Sequence, residues 1–296
     1  MVQRKIGKMM ESNRLKQAYK YCKKLTIEAD SNFSLGFRFL PKHKRDAIYA
    51  LYAFNRRADD FVDEEFNPLK KQHLIEKWDY YLEQCYNGEI NNHPILIAFY
   101  DAVRRFNIPK KPFKDAILGF KMDLDINRYN TFEELKVYCK RVAGTISVMS
   151  LNVFGHLDDK AYEYGDDLSM ALQLTNIIRD VGKDIEKNRI YIPLEEINKF
   201  NYSEEELLTR KINKNFIELM KFQVQRAKSY FKKAENLIPL LQKDARFTTL
   251  LMAGVYLKVL EQVEKNNYDV FNKLAKVSRA EKIGLTVKLK IKPKLF

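Results

Sequence analysis

Residues 173–184 read Gln-Leu-Thr-Asn-Ile-Ile-Arg-Asp-Val-Gly-Lys-Asp. Asn176, Asp180 and Asp184 recur every four residues, and Gln173 falls on the same side, so an α-helix here gathers its polar groups onto one face. Leu172, Leu174, Ile177 and Ile178 surround them, as in a helix packed among others rather than one with a solvated acidic face. Residues 55–64, Asn-Arg-Arg-Ala-Asp-Asp-Phe-Val-Asp-Glu, repeat the pattern with Asp59 and Asp63 among Ile48, Leu51, Tyr52 and Phe61. Arginines stand beside both pairs: Arg56 and Arg57 in one stretch, Arg179 in the other.

Two carboxylates four residues apart repel each other and weaken an isolated helix. Two such pairs in apolar helices therefore point to a cation. Oxygen-only donors suit Mg²⁺, which takes one or two carboxylates, keeps several waters and shares substrate phosphates. The reading is a diphosphate–Mg²⁺ site built by Asp59, Asp63, Asn176, Asp180 and Asp184.

Outward from these stretches the pattern is helix after helix. Pro41 stands at a first helical position, opening a helix that runs to about Glu65, before Pro68. Helices are predicted near 12–28, 69–87, 94–106, 112–127, 158–186, 213–236 and 240–265. Thr131-Phe132-Glu133-Glu134 and Ser203-Glu204-Glu205-Glu206 are capping boxes, the first opening a helix through Ala143 and Gly144 to about Phe154. Small Ala143 and Gly144 leave room for close helix packing or for a substrate tail. No fixed-period repeat, low-complexity linker or alternating strand series appears, so 1–296 reads as one all-α domain.

Composition agrees. The 296 residues include only 10 Gly and 8 Pro, with 46% hydrophobic residues, which excludes disordered, collagen-like and turn-rich classes. Cys22, Cys85 and Cys139 are dispersed, giving neither a disulfide framework nor a CxxC zinc site, and suit a reducing cytoplasm. The four histidines show no metal-ligand spacing. No secretory signal or membrane-spanning run is seen. Nearly all of the +14 net charge sits in two basic arms, residues 1–24 at +7 and 276–296 at +6, leaving the body near neutral. Nucleic acid is therefore not the expected partner. The tail Gly284–Phe296 alternates lysine with Leu, Ile and Val, which suits an anionic membrane surface, with Leu289, Ile291, Leu295 and Phe296 entering it.

With these motifs in place, the chain resembles the squalene/phytoene synthase family of head-to-head prenyl synthases. The likeness runs from about Tyr19 to Ile291. It rests on the Arg-rich DxxxD helix, Met122-Asp123-Leu124 with Arg128-Tyr129, Tyr138-Cys139 leading into Val142-Ala143-Gly144-Thr145, and residues 171–193 ending in Arg189-Ile190-Tyr191-Ile192-Pro193. The resemblance implies an all-α isoprenoid-synthase bundle around a central cavity. It implies Mg²⁺-diphosphate binding by Asp59, Asp63, Asn176, Asp180 and Asp184, diphosphate binding by Arg56, and a cavity position for Gln173. It also implies site aromatics at Phe33, Tyr129 and Tyr256, with Phe120 a further candidate for a π-rich wall. The family's Ser-x-Ser-Phe segment is here Asp30-Ser31-Asn32-Phe33-Ser34, in which only Phe33 matches, so Ser31, Asn32 or Ser34 would substitute for the family's hydroxyl contacts, and Ser147 replaces a family glycine.

The implied reaction is Mg²⁺-dependent condensation of two farnesyl diphosphates to a C30 product: presqualene diphosphate, squalene or dehydrosqualene. NADPH is needed only for squalene. Bulky Phe37 and Tyr49 at the end of the tail cavity favour this shorter substrate. The alternative is phytoene synthase, joining two geranylgeranyl diphosphates. Further rivals are a single-substrate prenyl phosphatase or cyclase, and a non-catalytic helical assembly factor of the same fold. Both aspartate motifs are complete, which favours an enzyme.

Overall fold

The computed structural model describes residues 2–29, 32–63 and 67–295, with side chains from residue 12 onward except Asn32 and Phe33. The described elements are α1 (Val2–Glu28), α2 (Asn32–Phe37), α3 (Lys42–Asp63), α4 (Pro68–Asn87), α5 (Pro94–Arg105), α6 (Lys111–Asp125), α7 (Phe132–Cys139), α8 (Thr145–Phe154), α9 (Lys160–Glu186), α10 (Leu194–Lys199), α11 (Glu204–Leu208), α12 (Lys214–Ala234), α13 (Leu237–Leu240), α14 (Lys243–Lys265) and α15 (Arg279–Ile291). The all-α expectation holds among the described residues. The predicted end of α3 near Glu65 lies outside them.

Local chemistry sets the boundaries. Asn67 caps α4 by accepting from the Lys70 N–H, and Gly88 ends it with φ +89°, a left-handed conformation that costs glycine nothing. Pro41 is the residue before α3 rather than its first; its carbonyl accepts from the Arg45 N–H. Ser203 forms the predicted capping box. Thr131 accepts from the Glu134 N–H as expected, but Glu134 reaches one residue further back, to the Asn130 N–H at 2.7 Å.

The helix predicted from Thr131 to Phe154 is continuous but not uniform. Residues Lys140–Gly144 form a π-turn between α7 and α8, a local widening that often occurs at functional sites. Gly119 on α6 permits it: a Cβ there would lie 2.8 Å from the Arg141 Cβ and 3.1 Å from its carbonyl carbon. Gly144 has no such role, since a Cβ would meet only ordinary contacts at 3.5 Å and beyond.

α3 packs on α1, α5 and α6, while α9 packs on α12, α8 and α14. The core includes Phe54, stacked on Phe99 with ring centroids 4.2 Å apart and on Trp78 at 5.2 Å. Lys44 is buried and fully used: Nζ donates to the Phe154 carbonyl, Gln242 and Asp244, each at 2.8 Å, joining α3, α8 and α14.

The basic tail differs from the sequence expectation. A Ser278–Glu281 capping box opens α15, and Leu285 and Leu289 are buried against α14 around Gly254. Leu289 is therefore part of the core and does not enter a membrane. Leu295 is half-buried, its N–H bonded to Glu235 at 3.2 Å, and Phe296 lies outside the described residues. No helix among the described residues is long and apolar enough to cross a membrane.

Candidate active site

A cavity of about 440 Å³ lies between α3 and α9. Asp59 and Asp63 from α3 face it, as do Asn176, Asp180 and Asp184 from α9, together with Arg56, Gln173 and Arg179. The helical periodicity of both stretches thus predicts its acidic rim. Its deeper walls are apolar: Phe37, Leu51, Phe120, Val142, Ala143 and Met252 are among them. Ser147 also faces the cavity.

Charges at the rim are unevenly neutralised. Burial, reinforced by the neighbouring Asp63, pushes the Asp59 carboxyl up to about 7. Its side chain is 37% exposed, and that exposure opens onto the cavity. Burial and then Asp180 likewise push Asp184 up to about 7. Asp63 goes the other way. Burial alone would raise it, but Lys187 and Arg189, each donating to it at 2.8 Å, outweigh burial and lower it. Arg56 Nε lies 2.7 Å from Asp60, and its Nη1 lies 3.4 Å from Asp59. Arg179 Nε donates to Asp180 at 3.0 Å.

Four further cavity residues, none of them assigned a role from the sequence, are brought in by tertiary contacts. Lys187, Arg189 and Tyr191 come from the loop after α9, and Asp123 comes from the end of α6. The Tyr191 hydroxyl donates to Asp123 Oδ1 at 2.8 Å and the Tyr138 hydroxyl to Oδ2 at 3.0 Å. Arg128 clamps the loop through Nη1 to the Asn188 carbonyl at 2.6 Å and Nη2 to Asn188 Oδ1 at 2.9 Å. The signal available in sequence was the Arg-x-Tyr of residues 189–191, which no helical period attaches to the acidic faces.

The aromatic expectations need correction. Tyr129 is buried behind the cavity rather than on it, stacked on Tyr191 at 6.0 Å, and its hydroxyl has no hydrogen-bond partner. Tyr138 takes the cavity position instead. Tyr256 does not line the cavity either. It is buried and hydrogen-bonded to Asn176, so it orients that amide. Tyr49 stands behind Phe37, edge to face at 6.0 Å, and only Phe37 reaches the cavity. The side chains of Phe33 and Asn32, and all of Ser31, lie outside the described residues; Ser34 is described and does not line the cavity.

A helical bundle with two acidic helices facing each other across an apolar cavity has the architecture of an isoprenoid synthase, an enzyme class that handles prenyl diphosphates. Comparison narrows this. The family model for squalene/phytoene synthase matches residues 27–281, and the chain belongs to that family. A phytoene synthase of Arthrospira platensis is 38% identical over 279 residues, 90% of each chain. A 15-cis-phytoene synthase of Synechocystis sp. is 38% identical over 281 residues, 91% of this chain and 83% of that one. Among solved structures, a dehydrosqualene synthase with bound ligand superposes with a TM-score of 0.90 at 28% identity, covering 97% of this chain and all of that one. The protein is a prenyltransferase that joins prenyl diphosphates head to head.

Proposed function

We propose that the enzyme condenses two geranylgeranyl diphosphates to phytoene, with Mg²⁺. The observation that carries the C40 product is the 38% identity to two phytoene synthases over about nine-tenths of this chain. This departs from the farnesyl expectation, which rested on Phe37 and Tyr49 together. Tyr49 does not bound the cavity, so that argument is halved.

The residues fit Mg²⁺. The donors are oxygens, paired on each helix, and burial with the neighbouring carboxylate holds Asp59 and Asp184 near 7 even though Arg56 lies near the first and Arg189 and Lys187 near the second. Among the described residues no three carboxylate, histidine or cysteine side chains close on one point. Each ion would therefore take one or two of Asp59, Asp63, Asn176, Asp180 and Asp184, and complete its shell with water and diphosphate oxygens. Bound there, Mg²⁺ supplies Lewis-acid neutralisation of the leaving diphosphate.

The chain's own groups do the rest. Arg56, Arg179, Lys187 and Arg189 offer charge-assisted hydrogen bonds to diphosphate oxygens as charge builds there. Phe37, Phe120, Val142, Ala143 and Met252 exclude water from an allylic cation, and the Phe120 ring face attracts it. The second substrate's double bond attacks that cation, and loss of a proton from the adduct closes the ring of a cyclopropylcarbinyl diphosphate. Its ionisation and rearrangement end in proton loss, so two diphosphates and protons leave and no reductant is consumed. NADPH is then unnecessary.

The test is incubation with farnesyl or geranylgeranyl diphosphate, with and without Mg²⁺ and NADPH, followed by mass analysis. A C40 hydrocarbon requiring Mg²⁺ alone is expected. A C30 product from farnesyl diphosphate, with geranylgeranyl diphosphate unused, overturns the assignment in favour of dehydrosqualene or squalene formation.

A further inference from the structure

α15 has two apolar faces. Leu285 and Leu289 are spent on α14. At 100° per residue, Ile283, Val287 and Ile291 form a second stripe centred opposite them. These three are 66%, 52% and 80% exposed. Exposed Ala280 and Gly284 continue the same face, so no polar side chain interrupts it. Arg279, Lys288 and Lys290 flank it, Lys276, Lys292 and Lys294 lie before and beyond it, and Lys282 falls on the side nearer α14, against Glu281 alone.

We infer that this outer face of α15 docks on an anionic lipid bilayer, with Ile283, Val287 and Ile291 in the acyl boundary and the flanking lysines at the headgroups. A helix lying in an interface needs an apolar stripe edged by cations, and α15 presents that on a folded, core-anchored helix. A second copy of the chain fits less well, because a self-pairing face would set its own lysines against each other. Nucleic acid fits the charge but leaves the apolar stripe in water.

The position of the helix supports the same occupant. Lys290 Nζ lies 5.5 Å from the Phe39 ring and 5.9 Å from the Phe247 ring. Phe39, itself partly exposed, follows α2 by two residues, and α2 presses on α14 so closely that a Cβ on Gly36 would lie 2.8 Å from Met252 Cγ. Phe37 and Met252 line the cavity. The docking face therefore sits over the α2–α14 wall of the cavity.

The experiment is co-sedimentation of the full chain with phosphatidylcholine vesicles and with vesicles containing phosphatidylglycerol, at 0.15 M and 1 M salt. Two variants accompany it: Ile283→Gln/Val287→Gln/Ile291→Gln, and Lys288→Gln/Lys292→Gln/Lys294→Gln. None of these residues lines the cavity, so circular dichroism and diphosphate release from detergent-dispersed substrate should match the parent. The expected result is binding to anionic vesicles only, weakened at 1 M salt, where the Debye length falls to about 3 Å. Each variant should lose roughly tenfold or more of the partition. Equal binding to both vesicle types overturns the proposal, as does undiminished binding of the Ile/Val variant. A dimer seen by light scattering that the Ile/Val variant abolishes would assign the face to a second copy. A gel shift with duplex DNA at 0.15 M salt, without vesicle binding, would assign it to nucleic acid.

Discussion

Arg189 Nη1 stands 2.8 Å from Asp63 Oδ1, joining the loop after the second acidic helix to the end of the first across 126 positions of sequence. Lys187 reaches the other oxygen of the same carboxylate at 2.8 Å. Of the first pair, then, Asp63 is neutralised by two cations of the chain, while Asp59, with Arg56 at 3.4 Å, is held high by burial and by Asp63. Arg189 also donates to the Asp123 carbonyl at 3.3 Å, so one guanidinium ties α3, α6 and the loop together at the cavity rim.

Replacing Arg189 by Ala should lower turnover by roughly 10²-fold, as removing a donor aimed at developing charge usually does. Arg189→Lys keeps the charge but loses the forked geometry and should recover only part of it. Steady-state kinetics with both variants checks this; equal activity of Arg189→Ala and the parent would limit the residue to scaffolding.

Asp59→Asn and Asp180→Asn should each remove about two orders of magnitude or more of activity while circular dichroism stays helical. In metal-free protein Asp59→Asn should also raise Tm, because it removes a buried charge beside Asp63. Near-parent turnover in both variants would separate the acidic faces from the chemistry.

Chelator-treated protein should lose stability as pH rises from about 5 to 8. Asp59 and Asp184 have folded values raised from 3.8 to about 7, so their contribution is full below pH 4 and is lost as pH climbs through 7. Asp63, lowered instead, acts in the opposite sense but below this window. Thermal melts at pH 5.5 and 8.0 test the sign. In Asp59→Asn/Asp184→Asn the slope should flatten, and an unchanged slope would place its origin elsewhere.

Phe37→Ala should raise the use of longer over shorter prenyl diphosphates, each added buried CH₂ contributing about 0.8 kcal/mol. Loss of the ring costs roughly 3 kcal/mol of stability. Tyr49→Ala, which acts only through Phe37, should destabilise similarly yet shift the chain-length ratio less. Competition between C15, C20 and C25 diphosphates reads both.

Tyr129→Phe should leave turnover nearly unchanged and hold or raise stability, since its buried hydroxyl has no partner to lose. Tyr138→Phe removes the 3.0 Å bond to Asp123 at the cavity and should lower turnover several-fold. The reverse ranking would restore Tyr129 to the site.

The two acidic faces were legible because an i,i+4 spacing needs only a helix to become a surface, and the apolar neighbours showed that both helices are buried. The start of the short helix at Ser203 was legible for the same reason, since Ser203 caps its own helix. In the tail it is Leu289 that is placed differently from its expected outward position, because alternating Lys and Leu beyond Gly284 has both a two-residue and a helical reading. The Ser278–Glu281 box and the space over Gly254 decided for the helix.

The sequence by itself determined an all-α protein, a doubled carboxylate site on two buried helices, and, through its motifs, the family. Tertiary structure alone decided which tyrosines face the cavity, that Lys187 and Arg189 serve Asp63, that Tyr256 orients Asn176, and which side of α15 is left in water. Period and capping act over one or two turns of a single segment. Which side chain enters a shared cavity depends on how segments 50 to 130 residues apart pack against one another, and no local spacing records that.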